Sequence, residues 1–226
     1  MKTRARSVSL LVFLACSVPA RADSVLVGTT GGGSVNNFEL TVGNFQFIAQ
    51  SFSLSDAVSV SDINLFMSGF GSDQFTVQVT DTIGPSTTPS DLLFQAADTF
   101  PDTGGAVNGM WVSTPANLFL GPGDYFLVLS SNQPSTYQGW VGAGSVLPSS
   151  VGSVGLNYNS CCNPNHSLPP ASSWIVAQGP EGFQIVGTEI PEPNPLLLLS
   201  SALAISWGLT RRRRRTFPCV LHRLCR

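Results

Sequence analysis

Along residues 75–80, Phe75, Val77 and Val79 alternate with Thr76, Gln78 and Thr80. A period of two predicts a strand with one face on a core and one face in water. The same signature recurs along the chain. Val25 and Val27 predict a short first strand before Gly31, Gly32 and Gly33. Phe45, Phe47 and Ala49 alternate with Gln46 and Gln50 and lead on to Phe52 and Leu54. Ile63, Leu65 and Met67 share one face, with Asn64 and Phe66 on the other. Further strands are expected at 92–97, 118–120, 174–177 and 183–186. Residues 125–129 are continuously apolar and predict a central strand covered on both sides. Turn residues punctuate these runs, notably Gly84-Pro85 and Gly121-Pro122-Gly123. Residues 139–155, rich in Gly and Ser, read as a long, loosely specified stretch. No helical periodicity and no internal repeat stands out. The pattern predicts an all-β domain, an antiparallel β-sandwich of jelly-roll-like type.

Charge changes the picture. Only 11% of the 226 residues are charged, and the net charge of −2 conceals a segregation. Every Lys and Arg lies at or before Arg21 or at or after Arg211. All 13 acids lie between Asp23 and Glu192. The middle of the chain has nothing with which to neutralise phosphates, which excludes nucleic acid as its partner and P-loop chemistry as its activity.

The basic ends read as addresses. Lys2, Arg4 and Arg6 precede an apolar run over 8–18, and Ala20-Arg21-Ala22 places small residues where signal peptidase needs them. The run is shorter than the ~20 residues of a membrane span. Residues 1–22 are therefore expected to be a signal helix cleaved before Asp23, leaving an exported domain at 23–190. At the other end Pro191-Glu192-Pro193 precedes an uncharged, mostly apolar segment at 196–209. Arg211, Arg212, Arg213, Arg214 and Arg215 follow it. A 14-residue helix reaches only ~21 Å, a short transmembrane helix helped by arginines snorkelling at its end. The arginine cluster acts as a stop-transfer signal and stays cytoplasmic by the positive-inside rule.

This order of Pro-Glu-Pro, short apolar helix and arginine cluster over 191–215 resembles a PEP-CTERM sorting signal. The resemblance implies a bacterial protein exported through the inner membrane and held there transiently. It implies processing by exosortase at Pro191, Glu192 and Pro193, then delivery to the envelope surface or the extracellular matrix. Residues 216–226 depart from the family, which usually ends soon after the arginines; they read as a cytoplasmic tail. Its Cys219, His222 and Cys225 fall short of four metal ligands. Within the exported domain, residues 45–54, 75–89 and a hairpin expected at 118–130 are loosely similar to bacterial choice-of-anchor surface domains. Those are sandwich modules of undefined molecular function, and no functional residue carries over.

Candidate chemistry inside residues 23–190 is sparse. Twelve acids without a cation suggest solubility and turn formation, or else calcium, which takes several oxygen ligands. Asp98 and Asp102, with Asp73 or Asp124, are the nearest approach to a calcium set; no EF-hand pattern is present, and no cofactor is assigned. Trp111 and Trp140 are the aromatic candidates for exposed glycan contacts with exopolysaccharide, ahead of Tyr137, Tyr158 and Trp174. Cys161 and Cys162 are adjacent in a loop rich in Asn and Pro. An oxidising compartment favours a loop-stiffening vicinal disulfide, free thiols or bonds to another chain being the alternatives. His166 shares that loop, and a Cys162–His166 nucleophile is conceivable, but no Gly-x-Ser-x-Gly elbow occurs. The expectation is a non-catalytic surface protein. The alternatives are a carbohydrate-binding module, with exposed Trp or Tyr on one face, and a secreted glycoside hydrolase, with two carboxylates facing across a cleft.

Overall fold

A computed structural model describes residues 22–32, 40–42, 47–69, 71–72, 74–105, 107–131, 138–160, 174–177 and 179–191. The chain divides into two compact units, 1–188 and 189–226, and only Glu189, Ile190 and Pro191 of the second are described. Twelve strands occur among the described residues: β1 (Ser24–Gly28), β2 (Leu40–Val42), β3 (Phe47–Leu54), β4 (Val58–Gly69), β5 (Gln74–Thr80), β6 (Leu92–Thr99), β7 (Val107–Leu120), β8 (Gly123–Ser131), β9 (Gln138–Trp140), β10 (Gly152–Ser160), β11 (Ile175–Val176) and β12 (Phe183–Glu189). The one helical element among them is a 3-10 turn at Pro89–Asp91, started by its proline and by the Thr88 N–H donating to Asp91 Oδ2 at 2.6 Å. The all-β reading therefore holds. The expected terminal helices lie outside the described residues.

The strands form two six-stranded sheets. The first runs β1-β12-β4-β9-β2, with β7 also paired to β4; the second runs β11-β10-β3-β8-β5-β6. The pairings with a resolved register are antiparallel. β7 follows one edge of β4 from Val58↔Leu120 to Gly69↔Val107. The other edge of β4 is left to β12 and β9. One buried cluster draws on both sheets: Leu26, Val60, Ile63, Leu65, Met67, Val112 and Ile185 from the first, and Ile48, Phe52, Phe75, Val77, Leu127 and Leu129 from the second. Burying these apolar faces is the main driving force for folding.

Three local expectations need correction. β5 has no wet face: Thr76, Gln78 and Thr80 are as buried as Phe75, Val77 and Val79. Its polar side chains hydrogen-bond rather than hydrate, with Gln78 Nε2 donating to Gln95 Oε1 at 3.0 Å and Thr80 Oγ1 donating to the Thr82 carbonyl at 2.7 Å. A second apolar cluster of Phe47, Ala49 and Val128, packed by Ile83, Phe126, Tyr158 and Trp174, covers the outer side of this sheet. Next, residues 118–130 are not a hairpin. Gly121 and Pro122 carry the chain out of the first sheet, where β7 pairs with β4, into the second, where β8 lies between β3 and β5. Lastly, the stretch 139–155 is not uniformly loose. It holds Trp140 at the end of β9 and the start of β10, which pairs with β3 from Gly152↔Leu54 to Ser160↔Phe47.

β8 meets its expectation as a central strand, with Leu127, Val128 and Leu129 fully buried. β7 is far longer than its predicted end at 118–120. It alternates Val112, Thr114 and Ala116 inward with Trp111, Ser113, Pro115 and Phe119 outward.

Candidate functional site

The two candidate tryptophans part company. Trp140 is fully buried; β9 lies against Met67 of β4, and the indole Nε1 donates to the Gly182 carbonyl at 2.9 Å. It is a core residue, which corrects its assignment as a glycan contact. Trp111 remains 37% exposed on the outer face of the first sheet. It sits opposite Phe66 in the β4–β7 register, with ring centroids 5.2 Å apart and planes at 59°. Glycine backbone lies close around Phe66. A Cβ added at Gly109 would come 2.6 Å from its ring, one at Gly31 2.8 Å, and one at Gly182 2.6 Å from its Cβ. No other residue type fits these approaches, so the chain builds the platform from backbone.

Polar groups continue the same face. Asn64 stands opposite Ser113 and Asp62 opposite Pro115. Asn64 Nδ2 donates to Gln184 Oε1 of β12 at 3.4 Å, and Ser113 Oγ donates to Asp62 Oδ1 at 3.4 Å. Phe119, 64% exposed, stands about 27 Å further along β7 than Trp111. The face thus offers an aromatic plane beside amide, hydroxyl and carboxylate groups, the chemistry that stacks on and hydrogen-bonds a sugar ring. Tyr158 packs edge-on to Phe126 and Trp174 joins the cluster on the second sheet; Tyr137 lies outside the described residues.

The acids do not converge. Among the described residues no group of three His, Cys, Asp or Glu side chains is placed to hold a metal. The register explains why Asp124 cannot join Asp98. Asp98 faces Phe75, which faces Ser131 at one end of β8, whereas Asp124 lies at the other end, about 23 Å away. Each carboxylate has local partners instead. Asp98 Oδ2 accepts from Thr114 Oγ1 at 2.6 Å, Asp102 Oδ1 from the Gly104 N–H at 3.0 Å, and Asp124 Oδ1 from Ser53 Oγ at 2.5 Å. Asp73 lies outside the described residues. At the Asp124 end, burial and then the nearby Asp81 carboxylate push the Tyr125 phenol upward, although its hydroxyl donates to the Gly121 carbonyl at 2.9 Å.

One acid escaped the sequence reading. Glu181, in Pro180-Glu181-Gly182, is almost completely buried. An isolated bridge pairs it with Gly142, and its N–H donates to Gln50 Oε1 at 2.9 Å. Its carbonyl accepts from Thr29 Oγ1 at 2.9 Å. Its Oε1 accepts from Asn157 Nδ2 at 2.5 Å. Gln50, predicted outward, is also buried, because Nε2 satisfies the Gly155 and Leu156 carbonyls where β10 bulges away from β3. Burial raises the Glu181 carboxyl to about 8, against the lowering effect of the Asn157 hydrogen bond.

The segments expected to be terminal signals are described only at their inner margins. Ala22 and Asp23 are exposed just before β1, and Ile190 and Pro191 are exposed just after β12. Ala20, Cys161, Cys162, His166, Glu192, Pro193, the segment 196–209 and Arg211, Arg212, Arg213, Arg214 and Arg215 lie outside the described residues. Among the described residues no helix is long and apolar enough to cross a membrane. No protein-family model, curated protein or solved structure matches this chain significantly.

Proposed function

We propose that this chain is an exported, non-catalytic component of the bacterial cell surface or extracellular matrix, sorted by an exosortase. The observation that carries the reading is the ordered end of the sequence: Pro191-Glu192-Pro193, the apolar segment 196–209, then five consecutive arginines. The exposed Ile190 and Pro191 support it, because a processing enzyme has to reach the chain where β12 ends. The exposed Ala22 and Asp23 support cleavage of residues 1–22 in the same way. The exported part is read as a jelly-roll β-sandwich. The strand orders β2-β9-β4-β7 and β3-β8-β5-β6 support this, being two four-stranded layers made from eight successive strands that change layer at every step but β5 to β6. β1 and β12 extend one layer, and β10 and β11 the other.

The test is the intact mass of the protein from its native host. Loss of roughly 35 C-terminal residues, abolished by Glu192→Ala, is expected. An uncut chain held in the inner membrane overturns the sorting reading.

A second reading, a carbohydrate-binding module, is favoured by one observation: Trp111 exposed over Phe66 beside Asn64, Ser113 and Gln184. A domain with twelve carboxylates and no Lys or Arg repels acidic polymers, so the glycan would be a neutral one.

A further inference from the structure

We propose that Glu181 and Asn157 form a neutral acid–amide pair that holds one proton between the two sheets. Asn157 Nδ2 already donates to Glu181 Oε1 at 2.5 Å. The remaining oxygens of the two groups, Glu181 Oε2 and Asn157 Oδ1, are both buried, and neither has a hydrogen-bond partner. Both are acceptors when the carboxyl is ionised, so each represents an uncompensated desolvation cost. A carboxyl and a carboxamide are planar forks of the same shape. When their first arms meet, a coplanar arrangement brings the second arms together. One proton on Oε2, donated to Oδ1, then satisfies both atoms and removes the buried charge.

The surroundings agree. Thr29 beyond β1, Gln50 of β3, Asn157 of β10 and Gly142 beyond β9 face Glu181, and none of them carries a charge or titrates. The neighbouring titratable side chain, Tyr158, points to the opposite side of β10, against Phe126. Among the described residues no cation is available to stabilise an ionised Glu181. The pair also has a place in the architecture. Glu181 leads into β12 of the first sheet, while Asn157 belongs to the second.

The linkage has a definite sign. The unfolded carboxyl ionises near the ordinary glutamate value, whereas the folded one keeps its proton up to about 8. The contribution is complete in acid, falls as pH rises between those two values, and is constant above them. Glu181→Gln replaces the acid by an amide that makes the same two hydrogen bonds without a proton to lose. The full chain, held in mild detergent for its apolar ends, is unfolded with denaturant from pH 5 to pH 9. The folding constant of Glu181→Gln relative to wild type is expected to grow about tenfold per pH unit and to level off above about 8. Parallel profiles for the two proteins overturn the proposal. A measurement on the wild type alone is independent of how the variant folds. Infrared absorption of a protonated carboxylic acid should persist at pH 7 and vanish in stronger alkali. Its absence at pH 7 means that a water or a cation bridges the two oxygens, and the acid–amide pair is then wrong.

Discussion

Trp111 and Trp140 share similar surroundings in the sequence, each one or two residues from a glycine. Their fates are decided by neighbours far along the chain. Trp140 finds Met67 and the Gly182 carbonyl, whereas Trp111 finds Phe66 and leaves one side to solvent. Trp111→Ala forfeits an aromatic pair worth about 0.5–1.5 kcal/mol beyond its buried area. The fold should survive that loss. Retardation in gels containing a neutral polysaccharide should disappear if the glycan reading is right. Equal retardation of wild type and variant, or none for either, removes that reading. Glu181 was illegible for the same reason. Beside Gly179, Pro180 and Gly182 an acid looks like a turn residue, and its burial depends on Thr29 and Gln50, each more than 130 residues away.

At the scale of the strand, a period of two was readable wherever the inward residues were large. Ile63, Leu65 and Met67 predicted the inner face of β4, and Phe75, Val77 and Val79 that of β5. β7 was mostly missed because its inward side includes Thr114 and Ala116, too small or too polar to stand out. The second face of β5 was misjudged because Thr and Gln report polarity, not whether another layer lies above them. Strand edges are equally silent in a sequence. Among the described residues β11 pairs only with β10 and leaves Ile175 73% and Val176 55% exposed. An apolar edge invites pairing with another chain. Ile175→Lys should leave the unfolding free energy within about 0.5 kcal/mol of wild type. It should also lower concentration-dependent self-association, measured by light scattering. Unchanged association would place any sticky surface elsewhere.

Over the whole molecule, the twelve acids between Asp23 and Ile190 share that stretch of sequence with no Lys or Arg. Their mutual repulsion is open to screening, since the Debye length falls from ~30 Å at 0.01 M to ~8 Å at 0.15 M salt. The thermal midpoint should therefore rise over that range of sodium chloride, and a flat or falling midpoint would show that repulsion does not limit stability. The proposed export and sorting signals rest on order, length and charge alone, which a sequence displays without any tertiary contact. The partners of Trp111 and of Glu181 were less legible, because Phe66 reaches Trp111 through the register of β4 with β7 and Asn157 reaches Glu181 from the other sheet.

The pairing of β1 with β12, Ser24 against Gly187, has a consequence for the order of folding. Synthesis delivers residues at ~5–20 per second, so β1 waits many seconds for the strand that completes its sheet. Until then β1 lacks its paired strand, Thr29 has no Phe183 to bond, and Glu181 has no core to enter. So long-range a closure raises contact order and slows the final step. The body of this protein cannot finish folding before its own exit strand has emerged, so a chain truncated ahead of Phe183 should be left as an incomplete intermediate for proteases to clear.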